Sequence, residues 1–459
     1  MAEATTGGGD ALVRGLRMEG DVNTTPLRAA WQREHLGPQG RAMVDRDASV
    51  YVRQSLSSPC LSALRSASGP WIEDMDGRRY LDFHGNSVHH IGYGHPKVIE
   101  AITKQMSTLS FCPRRFANEP ATVLAERLSR LSPGGRRRVL LTPGGASAMG
   151  VATKLARIAT GRHKTVSLWG AFHGASMEAA SIGGESLFRS GLGPLMAGCS
   201  HVPPPYPYRC LFGCQGVCVE RCAAYLEHVL DAEGDIAAVI AEPIRSTTVL
   251  VPPAGFWKRV REACTRRGVL LIFDEIPSGL GRTGDLFASD TVGVDPDILV
   301  LGKALGGAVM PLAAVLAKEE LDCAPHKALG HYTHEKSPVA AAAANAMLDV
   351  VLGDRLAERS RTLGERVMAM LHEASPSLPS IGEVRGRGLL IGVELVRPGT
   401  TQPDDDLAER LLYRCLETGL SFKVSAGNVV TLTPPLNIDE SLLSGAVEML
   451  LGHLRSLTG

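Results

Sequence analysis

Through the middle of the chain, short continuous apolar runs alternate with longer amphipathic stretches. The runs fall at 138–142, 165–169, 237–242, 269–274, 298–302 and 311–317, each of strand length. Between most of them, residues 150–160, 223–232 and 255–267 place apolar side chains at helical spacing. Apolar strands separated by helices predict an α/β fold, with a mostly parallel sheet covered on both faces. Ligands of such sheets bind beyond the carboxyl ends of the strands.

The flanks read differently. Residues 1–20 are rich in Gly, Thr and Ala and predict a mobile tail. From 21 to 61, scattered apolar positions and one helical pattern predict a docking arm, with a partner subunit as the candidate surface. Residues 71–83 alternate around Asp76-Gly77, a hairpin signal. After Pro338 an Ala-rich helix is expected to run toward Leu371. An apolar segment at 384–394, a helix at 404–418, a strand at 429–432 and a helix at 439–457 complete a small α+β lobe. The expected division is a tail and arm at 1–61, the N-terminal part of a small domain at 62–110, a large domain at 111–337, and the C-terminal small domain at 338–459.

Charge then excludes some partners. Basic and acidic residues balance at 48 each, which gives no electrostatic case for nucleic acid or an anionic membrane. The longest apolar stretch, 298–317, contains Lys303 and Pro311 and reads as two strands around a glycine-rich turn, not a membrane span. No secretory signal opens the chain, and its ten cysteines are expected to be reduced, so a soluble cytoplasmic protein is expected.

Two strand ends carry the chemistry. Lys303 follows one run, in Gly302-Lys303-Ala304-Leu305-Gly306-Gly307, and Asp274 ends another. Pyridoxal phosphate (PLP) needs this pair: a lysine for the Schiff base and an acid to keep the pyridine nitrogen protonated. Taken alone, Lys303 also reads as a solvated loop lysine. Gly144, Gly145 and Ala146 lie between a strand and a helix, where unpaired N–H groups bind phosphate; a structural turn has the same composition. Phe172 follows a strand and suits either stacking on a flat ring or the core. His173 suits a ring neighbour or turn donor better than a general base. Glu242, before Pro243, could pair with a cation, steer the cofactor's phenolic oxygen, or cap a helix.

From about Ser62 onward these marks resemble the class III aminotransferases, PLP enzymes of fold type I. The family's Asp-Glu pair appears as Asp274-Glu275, its Gly-Arg-Thr-Gly run as Gly281–Gly284, its Tyr-His-Gly as Phe172-His173-Gly174, and its Glu-Pro as Glu242-Pro243. The resemblance implies a large domain on a mostly parallel seven-stranded sheet, a small α+β domain, PLP as cofactor, and a homodimer with shared active sites. It implies that Lys303 holds PLP as an internal aldimine and then moves protons, and that Asp274 pairs with the pyridine N–H. Phe172 would stack on the ring, and Gly145 and Ala146 would donate amides to the phosphate. Thr333, ahead of Pro338, would complete the phosphate site of the neighbouring subunit. The substrate would be a small primary amine.

Departures from the family pattern narrow the reaction. Ile276 is followed by Pro277 where a glutamine is usual, so a hydrogen bond to the cofactor oxygen is expected to be missing. Thr431 replaces the arginine that commonly clamps a substrate carboxylate. The usual Asn-Pro is Ser337-Pro338. Arg114, Arg115, Arg245 and Lys336 are extra cations, either recognising another anion or salt-bridged structure. With Phe83-His84-Gly85-Asn86 and His331-Tyr332-Thr333, these features resemble the (R)-1-hydroxy-2-aminoethylphosphonate ammonia-lyase branch. Elimination with ammonia loss is the expected reaction, and transamination of an omega-amino acid or amine with a 2-oxo acid is the alternative. A nicotinamide dehydrogenase fits less well, since no Gly-x-Gly-x-x-Gly fingerprint follows the first strand.

Cys210, Cys214, Cys218 and Cys222 recur every fourth residue. Four soft donors in a loop suit zinc or an iron–sulfur cluster. Buried thiols, or local bridges under oxidation, explain the same pattern.

Overall fold

A computed structural model describes residues 25–459, except 55–56, 215–217 and the side chain of Cys218. The tail expected at 1–20 lies outside the described residues. Helices Pro26–His35 and Pro38–Val50 come first. The first docks on the chain's own helix Asp405–Glu417, where buried Trp31 faces Tyr413 with ring centroids 6.1 Å apart. Strands β1 (Leu64–Ser68), β2 (Trp71–Asp74) and β3 (Arg79–Asp82) follow, and Gly77 takes a φ of 86° in the expected hairpin turn.

The central sheet is built from β4 (Arg137–Thr142), β5 (Lys164–Leu168), β6 (Cys199–Val202), β7 (Ile236–Ala241), β8 (Leu270–Asp274), β9 (Ile298–Leu301) and β10 (Ala313–Lys318). Their order is β4-β10-β9-β8-β7-β5-β6. β10 is antiparallel to both neighbours, and the other pairs are parallel. All six apolar runs form strands. β6 is an addition: it lies at the sheet edge, is only half-buried, and its Cys-Ser-His sequence breaks the apolar pattern.

Alternating residues of the inner strands face opposite layers. Ile240 and Ile272 pack with Ala148, Met149 and Ala152 of helix Gly145–Thr160. Val239, Leu271 and Phe273 pack on the other side with Trp257 of helix Phe256–Arg267. This two-sided burial is why the runs are continuously apolar. Register then aligns the strand ends. Ala241 lies opposite Phe273, and Asp274 opposite Val300. Glu242, Asp274 and Lys303 therefore leave the sheet along one edge.

The Ala-rich stretch is two helices, Pro338–Gly353 and Leu356–Ala374, in place of the single one expected. They are separated at Arg355, whose φ is 51°. The first is buried nearly all round and packs against the Lys303–Gly306 turn, whereas the second is amphipathic. Such different surfaces cannot share one axis over one neighbour. Segment 384–394 falls in a hairpin of β11 (Ile381–Arg387) and β12 (Leu390–Leu395), turned at Gly388 with a φ of 54°. β13 (Leu420–Ser421) pairs in parallel with β3, so early and late chain share a sheet. β14 (Lys423–Ser425) and β15 (Val429–Leu432) join the β11–β12 hairpin in the order β11-β12-β15-β14. No helix among the described residues is long and apolar enough to cross a membrane.

Candidate active site

A cavity of about 1060 Å³ opens beyond the aligned strand ends. Asp274 is buried at its floor. Its Oδ2 meets Nδ1 of His173 at 2.8 Å, and its Oδ1 accepts the Ile276 N–H at 3.0 Å. The carboxylate favours the tautomer with the proton on Nδ1. Glu242 accepts the Ser246 N–H through Oε2 at 2.9 Å. Its Oε1 is buried without a hydrogen-bond partner among the described residues. Burial and then the nearby Asp274 push the Glu242 carboxyl above its usual range, against the pull of Arg245 and His173.

Lys303 opens the turn after β9 with a φ of 45°. A non-glycine residue in this region is strained, and such strain gathers at functional sites. Gly144 precedes helix Gly145–Thr160 and makes no side-chain cap, so the first-turn N–H groups are left for another acceptor. A Cβ on Gly145 would lie 2.8 Å from Cδ1 of Ile276, which leaves no room for a larger residue. The ring of Phe172 lies 4.5 Å from that of Phe188, centroid to centroid.

Gly144, Gly145, Ala146, Phe172, His173, Glu242, Asp274, Ile276 and Lys303 all line the cavity. Thr333 is exposed and does not line it in this chain. None of the four candidate substrate cations reaches it either. Arg114 is exposed and engages His331, at 2.5 and 2.7 Å. Arg115 and Lys336 are also exposed, and the Lys336 carbonyl accepts from Asn118 at 3.0 Å. Arg245 is buried against Gly170, where an added Cβ would lie 2.5 Å from Nη1.

Other polar groups take the cavity wall: Arg28, His84, Lys423 and Thr431. Arg28 arrives on the N-terminal arm and anchors through Nη2 to the Pro59 carbonyl at 2.9 Å. Lys423 lies opposite Thr431 in the β14–β15 pair. No motif marks these cations. The readable signal was the Ala426-Gly427 turn, with φ values of 53° and 82°, which folds β14 back on β15.

Arg282 of the Gly-Arg-Thr-Gly run stands apart from the cavity and is wholly buried. It donates to the carbonyls of Leu389 and Pro434 at 3.0 and 2.5 Å, and its Nη2 lies 3.3 Å from Nδ1 of His90. Burial lowers its pKa to about 9. The motif ties the loop after Asp274 to the C-terminal lobe.

Residues 53–454 match the family model described as aminotransferase class-III. The chain belongs to the class III aminotransferase family. It is 46% identical to an (R)-1-hydroxy-2-aminoethylphosphonate ammonia-lyase of Vibrio splendidus, over 94% of this chain and 94% of that protein. It is 35% identical to a 5-aminovalerate aminotransferase of Pseudomonas putida, over 82% of this chain and 90% of that protein. Among solved structures, an amine transaminase from an uncultivated Pseudomonas species in its PLP-bound form superposes with a TM-score of 0.84. That protein is 32% identical, with 89% of this chain and 98% of that chain covered.

As a family member the chain is a PLP-dependent enzyme. Its own residues fit the cofactor. The uncapped helix start at Gly144 suits the phosphate, and the cramped Gly145 keeps that approach open. The buried Asp274 carboxylate suits a ring nitrogen that must stay protonated, and Lys303 stands at the neighbouring strand end. The unpartnered Glu242 Oε1 offers a further polar contact.

Proposed function

We propose that this enzyme is an ammonia-lyase acting on a hydroxy-aminoethylphosphonate-type primary amine. The observation that carries the reading is the cavity wall. Thr431 stands where the family pattern has its carboxylate-clamping arginine, Lys423 lies opposite it, and Arg28 lines the same cavity. That wall suits a compact, multiply charged anion better than a planar carboxylate. The 46% identity to a protein with this activity supports the same conclusion.

When bound, PLP supplies an electron sink for the carbon that carries the amine. Asp274 keeps a proton on the ring nitrogen, and His173 holds Asp274 in place through Nδ1. Gly145 and Ala146 offer backbone N–H groups to the phosphate, and Phe172 covers the ring. Lys303 Nζ takes the proton from the amine-bearing carbon. Lys423 and Arg28 hold the phosphonate, so the hydroxyl-bearing carbon stays within the cavity. The proton held on Lys303 Nζ would pass to the hydroxyl on that carbon, which leaves as water; hydrolysis of the released imine then takes one water back and gives ammonia and an aldehyde. The water lost is regained, so no oxo acid is consumed.

The active unit in this reading is a homodimer. Thr333 and Arg114 are exposed, and large apolar side chains at Leu109, Phe111 and Phe116 are exposed near Arg114 in the sequence. A second copy would cover them and bring Thr333 to its neighbour's phosphate site. A reducing compartment such as the cytoplasm suits the ten cysteines.

Incubation with hydroxy-amino-phosphonates and no oxo acid tests the reaction. Sustained ammonia release is expected. Turnover only with an added oxo acid would establish the aminotransferase reading, which the likeness to the 5-aminovalerate enzyme favours.

A further inference from the structure

Cys210, Cys214 and Cys222 play no part in the reaction above, and none lines the active cavity. Their Sγ atoms nevertheless all lie within 4.8 Å of one another. We propose that these three thiols bind a soft divalent metal ion, zinc, at a structural site formed by the 210–214 loop and helix Cys218–Glu233.

Local structure accounts for the convergence. Gly213, with a φ of 60°, donates its N–H to the Cys210 carbonyl at 3.0 Å, and this turn brings Cys214 back toward Cys210. Cys222 arrives from the following helix, one turn after its start. Arg221 Nη1 straps that helix to the loop through the Phe212 carbonyl at 2.9 Å. Three residues separate Cys210 from Cys214, within the roughly two to four usual between paired zinc ligands.

The donor set selects the ion. Among the described residues the cluster contains sulfur only, with no carboxylate that would suit magnesium or calcium. Zinc–sulfur bonds of about 2.3 Å place tetrahedral sulfurs about 3.8 Å apart, so the thiols need to close by at most about 1 Å. Cys214 and Cys222 are buried, and Cys210 is half-buried, which shields a bound ion; the side chain of Cys218, the fourth cysteine of the run, lies outside the described residues. Binding releases the thiol protons, so affinity falls as pH falls. Three thiolates and a dication carry one net negative charge, and Arg209 and Arg221 flank the ligands in sequence.

The site is placed to brace the active cavity. Tyr206 and Arg209, just before Cys210, both bond the buried Glu394 of β12. Glu394 also accepts from Arg385 Nη1 at 2.6 Å. Arg385 in turn donates to the carbonyls of Thr248 and Val249 at 2.7 and 2.9 Å. The preceding Ser246 and Thr247 line the cavity. Fixing Cys210 therefore fixes the start of a polar chain that ends at the cavity wall.

The test is metal analysis of the PLP-loaded enzyme purified without chelator. About one zinc per chain is expected for wild type. Cys210→Ser and Cys222→Ser should lose it, and their thermal midpoints should fall by the same amount as that of wild type stripped by a chelator. Cys323→Ser, at an exposed thiol outside the cluster, should keep both metal and midpoint. Should a variant not fold, cobalt supplied to stripped wild type reads the site directly, through a thiolate-to-cobalt absorption band. Zinc near zero in wild type, with no cobalt band, overturns the proposal. So does a disulfide between any two of the three cysteines in enzyme kept under reductant, or iron with acid-labile sulfide in place of zinc.

Discussion

Lys423 stands directly opposite Thr431 across the β14–β15 pair, and both line the cavity. A lysine is a compact point charge, whereas the arginine usual at the Thr431 position presents a planar fork. Replacing Lys423 by methionine should therefore reduce kcat/KM for an aminophosphonate roughly 10- to 150-fold. That corresponds to about 1.5–3 kcal/mol, the range for hydrogen bonds to charged groups. Most of the loss should appear in KM, because the contact persists from bound substrate to transition state. Steady-state ammonia release measures it, and an unchanged KM would remove Lys423 from the substrate site.

Lys303→Ala should abolish turnover. The wild-type visible absorbance should disappear on borohydride reduction, and the reduced cofactor should stay covalently attached to the peptide that contains Lys303. The variant should form no such adduct. Attachment at any other lysine would overturn the assignment.

In the proposed mechanism His173 acts through Asp274, which it bonds through Nδ1, rather than on substrate. His173→Ala removes the 2.8 Å bond to the carboxylate and should slow kcat by roughly 10- to 150-fold, again about 1.5–3 kcal/mol. The cofactor's visible band should shift in the same variant, because the ring nitrogen loses a fixed counter-charge. A slowed enzyme with an unaltered spectrum would argue for a merely structural role.

His90 sets a pH limit. Burial, then the Arg282 guanidinium and His89, hold its pKa well below 6.5. The folded state thus binds fewer protons here than the unfolded chain. The stability this residue contributes is complete above the unfolded value, about 6.5, and is lost as pH falls below it. Thermal midpoints of wild type should decline between pH 7.5 and 5.5 more steeply than those of His90→Asn. Parallel slopes would show that His90 is not the sensing group.

Much of the scaffold was legible because burial on two faces leaves an unbroken apolar record. The runs ending at Asp274 and before Lys303 became adjacent strands, and register then fixed Glu242 beside them. The half-buried edge strand β6 left no such record. The break at Arg355 did carry a mark, Gly353-Asp354 at the end of the first helix, which the Ala-rich run before it obscured. Nine candidate residues of the cofactor site line one cavity because each follows a strand end or opens the helix after one. The four candidate substrate cations stand outside that cavity in this chain for the opposite reason. Arg28 and Lys423 reach the wall from distant segments, and only tertiary pairing decides which lysine or arginine arrives there.

The docking of helix Pro26–His35 on helix Asp405–Glu417 has an evolutionary meaning. Arg28 enters the cavity from a segment that contributes nothing to the central sheet. In the proposed reading, selectivity and reactivity are therefore encoded in separable stretches of the gene. Exchange of the arm, together with change at Lys423 and Thr431, would give the same Lys303–Asp274 pair a new clientele with no mutation in the sheet that carries it.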